Sequence, residues 1–348
     1  MIDWTNGYSA SWHVFRVNPE TWADAEELDG VTGVSVERGT EDSPRVLERG
    51  SMSVDLVPGT TVDEGYYRFV MIARQGYDTE RVEVATLLFT ATGGEVNRGV
   101  DAVECSGRSV LWPASKVSVE AGAYAPAGVD GVSYAERLLS GAINAPIETE
   151  GSFTIDEHVV FDNGASVLDA VWSILDAGGF YMAINGDGTV KIEAMPSEPS
   201  LSLDMTHTRL LHPGIEHQLD YSDVPNVYKV TDGTSEATAT NANEASITST
   251  LTRGWTNEVL DESPVRVNGE TLQAYAERKL EEASTVEDSR TYEREWWPGV
   301  HPCHIVRGSL ASVLLDGDMR VKAQSVTCGK GITVTETACR EVHTWLRS

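Results

Sequence analysis

The stretch DVPNVYKVTDGTSEATATNANEASITSTLTRG runs from Asp223 to Gly254. Its pattern predicts two short strands, Val227 to Thr231 and Ser246 to Leu251. Between them Asp232 to Asn243 form a tongue of Thr, Ala, Asn, Ser and Glu with too little apolar surface to build a core. An amphipathic pattern follows: TLQAYAERKLEEAS, from Thr271, places Leu272, Tyr275, Ala276 and Leu280 on one face of a helix near 271–283. A hairpin that cannot pack on itself can add strands to a neighbour or line a lumen, so this stretch is expected to serve assembly rather than chemistry.

Outward from it, a chain of 348 residues is too long for one ordinary core and suggests two or three domains. From Ala10 to Gly107 the runs SWHVFRV, GVTGVSVERG, GSMSVDLV, GYYRFVMIAR, ERVEVATLLFTA and GVDAVECSG alternate apolar and polar residues between Gly or Pro turns. That is the pattern of half-buried antiparallel strands, about six of them, in a small barrel or sandwich spanning 1–110.

The composition changes over 111–200, where apolar residues recur at helical spacing near 133–142 and 165–177. Asp162 or Asn163 is the expected cap of the second helix and Gly178-Gly179 its stop. FYMAINGDGTVKIEAM then predicts a hairpin over 180–194, turning at Gly186-Asp187-Gly188. After the Pro-containing junction MPSEPS (Met195–Ser200), 201–348 returns to strand patterns around the helix near 271–283. The expected fold is mainly β with an α+β insert, two small β-barrel domains flanking an α/β module.

Formal net charge is −28, from 54 acidic and 26 basic residues. Such a chain repels phosphate, which argues against specific nucleic-acid binding and leaves a solvated acidic surface or a wall past which a polyanion moves without adhering. The opening MIDWTNGYSA lacks the regions of a signal peptide, and no run approaches the roughly eighteen apolar residues of a membrane span. Synthesis and folding in the cytoplasm are expected. Cys105, Cys303, Cys328 and Cys339 are too few and too irregular for a disulfide framework.

Chemical constellations are weak. His301, Cys303 and His304 are zinc-binding types, but Cys328 and Cys339 do not complete a knuckle at the required spacing, so a packed turn is favoured. Asp156, Glu157, His158 and Asp162 can be drawn as a carboxylate pair, yet a solvated turn is the simpler reading. Glu277, Glu281, Glu282, Glu287 and Asp288 read as a solvated face with local ion pairs to Arg278 and Lys279. Trp296-Trp297 before Pro-Gly reads as a core or interface anchor more than a sugar platform. No nucleotide, metalloprotease or serine-hydrolase motif is present. No catalytic residue, metal or cofactor is therefore expected.

In order and pattern the chain resembles the bacteriophage baseplate hub, or tail-tip hub, family, which includes late control protein D of contractile tails and the base of type VI secretion spikes. The likeness is carried by TWADAEELDGVTGVSVERGTEDSPRVLERGSMSVDL with GYYRFVMIARQGYDTERVEVATLLFTA, by GASVLDAVWSILDAGGFYMAINGDGTVKIE, and by VPNVYKV through TLQAYAERKLEEAS to WWPGVHPCHIVRGS. It departs at His301–His304, where hub proteins usually show a Gly-Asp pair feeding a Val-rich strand.

The resemblance implies a structural virion protein of the tail tip or baseplate. It implies a homotrimer whose two barrels per chain present six similar modules to a sixfold tube, a symmetry adaptor through which DNA passes at genome ejection. Its partners would be the tail tube or distal tail protein, a tail-tip spike or fibre protein, and the tape measure protein. Candidate assembly or channel residues are Asn226, Asp232, Glu236, Glu244, Trp296 and Trp297. The alternatives are a tail-associated cell-wall or glycan hydrolase, for which an additional catalytic domain would be expected that the run of strand patterns up to Ser348 does not offer, and a carbohydrate-binding module.

Overall fold

The computed structural model of the chain describes residues 2, 7–40, 45–56, 62–97, 100–156, 158–203, 214–231, 233–262, 271–310, 315–328 and 332–346. It divides into two compact units: Met1–Ile215 with Thr291–Ala338, and Glu216–Arg290 with Cys339–Ser348.

The first unit is built on antiparallel strands β1 (Ser9–Val17), β2 (Asp24–Glu27), β3 (Val31–Thr40), β4 (Val46–Leu56), β5 (Gly65–Gln75), β6 (Asp78–Asn97) and β7 (Val100–Arg108). Their hydrogen-bonded order is β3-β4-β7-β6-β5-β1-β2. Alternation sets the buried face: Val34 and Val36 on β3, Met52 and Val54 on β4, and Phe69 and Met71 on β5 share one core cluster. Gly50 permits the close approach of β4 to β3, since a Cβ there would meet the Ser35 carbonyl oxygen at 2.5 Å.

The same ladder continues into the last third of the chain. Val34–Gly39 of β3 pair with Ala323–Cys328 in the strand Leu315–Cys328. That strand also pairs with Ile305–Leu310, whose other neighbour is the parallel strand Pro199–Leu203. The mainly β expectation therefore holds. The two barrels expected on either side of the module are joined in one ladder of a 13-stranded sheet, and among the described residues no ladder closes it into a ring. The compact units differ from the expected division at 110 and 200, because pairing with β3 draws 291–338 into the first unit.

The α/β insert is as expected in kind. Helix α1 (Gly131–Ser140) starts two residues early because Asp130 caps it, accepting from the Val132 amide at 3.2 Å. Helix α2 (Val167–Gly178) is capped by Ser166 in a reciprocal box with Asp169, not by Asp162 or Asn163. A hydroxyl immediately ahead of the first helical turn reaches the orphan amides that a residue three or four positions earlier cannot. Gly179, at φ 67°, ends it. The hairpin Phe180–Ile184 and Val190–Ala194 follows, and Val171, Ile174, Met182 and Ile192 fill a core with Val17, Tyr66 and Leu88 of the large sheet.

The hairpin tip is seated on that sheet by backbone contacts. The Asp187 carbonyl accepts from Arg68 Nη2 at 2.9 Å and Trp22 Nε1 at 2.8 Å, and the Gly186 carbonyl accepts from Thr86 Oγ1 at 2.9 Å. A Cβ on Gly186 would lie 1.9 Å from the Glu83 carbonyl oxygen, so only glycine fits.

Candidate assembly surfaces

In the second unit, Val227–Thr231 pairs antiparallel with Glu236–Thr240 and parallel with Glu258–Asp261. The hairpin is tighter than expected, its return strand arising inside the polar tongue. Ser246–Leu251 is not the return strand; it holds turns and enters helix α3 (Thr250–Arg253). The cause is local side-chain bonding that competes with a ladder. Asn241 Nδ2 donates to Ser246 Oγ at 2.8 Å and Thr248 Oγ1 at 3.2 Å, and Ser249 Oγ caps α3 by accepting from the Thr252 amide at 3.1 Å.

Helix α4 (Leu272–Ala283) is capped by Thr271. Tyr275, Ala276 and Leu280 are buried and Leu272 partly so, packed on Val230 and Ala239. The predicted face is therefore the packed one, but it covers this three-stranded sheet rather than a barrel. On the opposite side Glu282 pairs with Arg278 and Lys279 at 2.8 and 2.7 Å.

The candidates scatter. Asn226 is 0% exposed: its Nδ2 donates to the Trp255 carbonyl at 2.9 Å, its Oδ1 accepts from the Asn257 amide at 2.8 Å, and it thereby pins Glu258–Asp261 beside Val227–Thr231. Glu236 and Glu244 are exposed, while Asp232 lies outside the described residues. In the first unit Trp296 is buried in the sheet core, where its carbonyl accepts from Tyr8 Oη at 3.3 Å, and Trp297 is half-buried.

An apolar group went unread in the sequence. Ile247, Leu251, Trp255 and Leu260 are each half-exposed or more, from 50% to 59%, with the Arg253 guanidinium 4.8 Å from the Trp255 ring centroid. All four lie between Ile247 and Leu260. Three of the four, Ile247, Leu251 and Trp255, stand in ITSTLTRGW, whose first part reads as the strand Ser246 to Leu251.

The other sequence candidates are structural. Cys303 is buried, and burial, with Arg38 and His304 adding to it, holds His301 well below the usual imidazole range. Burial likewise lowers His304, against the pull of Glu193. Among the described residues no three His, Cys, Asp or Glu side chains converge as metal ligands. Asp156 is exposed, His158 Nδ1 accepts from the Ala127 amide at 3.0 Å, and Glu157 lies outside the described residues. Asp288, read as part of a solvated acid face, is instead buried in a strand of the second unit, accepting from Arg290, from Arg340 Nε at 2.9 Å and from His217 Nε2 at 2.9 Å.

Two further buried ion pairs lie in the first unit. Arg38 meets Glu48 at 2.6 Å, and Arg294 meets Glu336 at 2.6 Å. Burial raises Glu48 above the ordinary carboxylate value despite Arg38. Burial presses Glu336 the same way, but Arg294, Tyr292 and Gln324 together hold it below. The difference follows the hydrogen bonds: among the described residues Glu48 Oε2 has no partner, whereas both oxygens of Glu336 accept.

No protein-family model matches the chain, and no curated protein matches it. Solved structures do. A tail protein from Neisseria meningitidis MC58 aligns over 96% of this chain and 97% of its own, with a TM-score of 0.63 at 13% identity. The 43 kDa tail protein of prophage MuSo2 from Shewanella oneidensis aligns over 96% and 98%, with a TM-score of 0.60 at 11% identity. A chain of the Francisella PdpA–VgrG complex aligns over 95% of this chain and 58% of its own, with a TM-score of 0.55 at 7% identity. Likeness from end to end at such low identity is likeness of fold, and the fold of this chain is that of phage tail proteins.

Proposed function

We propose that the chain is a structural hub subunit of a phage tail, a homotrimer forming a pseudo-sixfold ring that joins the tail tube to the tail tip or spike and surrounds the channel for DNA. The observation that carries this reading is the alignment with two tail proteins, one of them from a prophage, over nearly their whole lengths. In this reading 1–110 and 201–348 are the two hub modules and 111–200 the insert between them.

Partners follow from the position proposed: the tube or distal tail protein on one side, a spike or fibre protein on the other, with the tape measure protein in the lumen. The match to a chain in a VgrG-containing complex supports a spike-side partner. The exposed apolar side chains Leu251, Trp255 and Leu260 give the second unit a surface for such contacts, and Glu236 and Glu244 are its exposed acids for a channel wall. Repulsion between those acids and passing DNA acts only within the roughly 8–10 Å screening distance of physiological salt.

The test is the mass of the purified chain by native mass spectrometry. Three times the monomer mass is expected, and a monomer at every concentration up to the solubility limit overturns the ring. Glu236→Lys with Glu244→Lys, in particles that still assemble, is expected to slow DNA ejection at low salt. Unchanged ejection would place the hairpin away from the channel.

A further inference from the structure

The ends of β4 and β7, the 3-10 turn Trp112–Lys116 and the first turns of α2 enclose a cavity of about 400 Å³. In a chain of net charge −28 its lining is cationic. Arg49 stands directly opposite Arg108 in the β4–β7 ladder, where like charges repel. The Arg108 guanidinium lies 5.2 Å from the Trp112 ring centroid and the Lys116 ammonium 5.1 Å from it. Both cations are exposed, and among the described residues neither forms an ion pair.

Trp172, 9% exposed, also lines the cavity, and its indole N–H has no hydrogen-bond partner among the described residues. Arg45 lies over that ring at 5.4 Å while meeting Asp176 at 3.3 Å. Two acids reach the cavity, and both are engaged: Glu48 by Arg38, and Asp169 by Ser166 at the head of α2. The lining thus offers two exposed cations, Arg108 and Lys116, beside a buried indole donor that no group among the described residues satisfies.

We propose that this cavity docks an acidic segment of a partner polypeptide, its carboxylates bound by Arg108 and Lys116. Guanidinium forks match carboxylates in two parallel hydrogen bonds. Nucleic acid fits less well. Bases stack on open aromatic faces, whereas the Trp112 ring already carries two cations and Trp172 is nearly covered. A long polyanion would also lie along an acidic surface outside the cavity, which a short acidic segment avoids. The site goes beyond the hub reading and stands without it, since it is a property of the isolated chain.

The experiment titrates a labelled hexaglutamate peptide onto the full chain at low salt, followed by anisotropy and tryptophan fluorescence. Saturable binding that weakens with added salt is expected, with affinity falling at least about tenfold in the double variant Arg108→Gln, Lys116→Gln. Arg307→Gln, at an exposed cation paired with Asp318 elsewhere in the unit, should leave affinity unchanged. Should the double variant fold poorly, Lys116→Gln alone is expected to weaken binding by about threefold. The proposal is overturned by absence of saturable binding at low salt, by equal losses in Arg307→Gln, or by a single-stranded oligothymidylate of matched charge binding more tightly than the peptide and losing affinity in the same variants.

Discussion

Arg294 donates to both carboxylate oxygens of Glu336, from Nε to Oε1 at 3.3 Å and from Nη2 to Oε2 at 2.6 Å, where the two side chains are only 3% and 0% exposed. Tyr292 Oη and Gln324 Nε2 supply the remaining donors. Replacing Glu336 by Gln leaves Arg294 buried and uncompensated, which should cost about 3–5 kcal/mol. The check is the denaturation midpoint at unchanged slope. A loss below about 1 kcal/mol would show that water reaches the pair.

The two buried glutamates should respond to pH with opposite sign. Glu336 lies below its ordinary 4.5, so its contribution is complete above 4.5 and is lost as pH falls through the lower folded value. Glu48 lies above 4.5, so the folded chain keeps a proton the unfolded chain has released, and stability declines as pH rises from 4.5 to the folded value. Glu48→Gln should flatten the decline above 4.5, and Glu336→Gln the one below it. Stability curves for Glu48→Gln that parallel the parent above 4.5 would sink the assignment.

Leu280→Ala should cost about 2–5 kcal/mol, because Leu280 is fully buried against Val230, Ala239 and Tyr275. Gln273→Ala, on the exposed flank of α4, should stay within about 0.5 kcal/mol. Denaturant unfolding of both variants, compared with the parent, decides whether this face is core.

Gly186→Ala should destabilise the first unit by about 1–3 kcal/mol, since the new methyl must displace the Glu83 backbone or the hairpin. Trp22, bonded to the Asp187 carbonyl, gives the local readout through its fluorescence. An unshifted spectrum with wild-type stability would mean that the tip is not seated there.

Leu251→Ser combined with Trp255→Ser should leave the unfolding midpoint within about 0.5 kcal/mol of the parent, both positions being exposed. Assembly should suffer instead, seen as a lower mass at a concentration where the parent is oligomeric. Retained mass would exclude this surface from the proposed ring.

Strand pattern, the two insert helices, the 180–194 hairpin and the packed face of α4 were legible because each rests on a local period or a single cap. What was missed also lay in periods, read with the wrong prior. Counting by two from Val34 and Val36 reaches Arg38, and from Val54 and Met52 reaches Glu48, so the alternation itself puts this ion pair inside. Tyr292, Arg294 and Trp296 follow the same rule, as do Val334, Glu336 and Ala338. A charged residue carries no hydrophobic signal of its own, so only the register of its neighbours reveals that it points inward. The failed strand at Ser246–Leu251 is a different case: hydroxyl and amide side chains bonding one another leave no mark in hydrophobic periodicity. The joining of β3 to residues 323–328 was illegible for a third reason, since no local pattern names a distant partner.

That distant pairing has a consequence for biosynthesis. The nascent chain presents Val34–Gly39 long before Ala323–Cys328 have been translated. At roughly 5–20 residues per second the delay is on the order of fifteen seconds to a minute. Throughout it one side of β3 presents unsatisfied amides and carbonyls, the kind of rim that templates pairing with a neighbouring nascent chain on the same polysome. Elongation rate therefore governs how much chain is lost to such mispairing, and a ribosome stalled before Ala323 releases a product whose sheet has no means of completing itself.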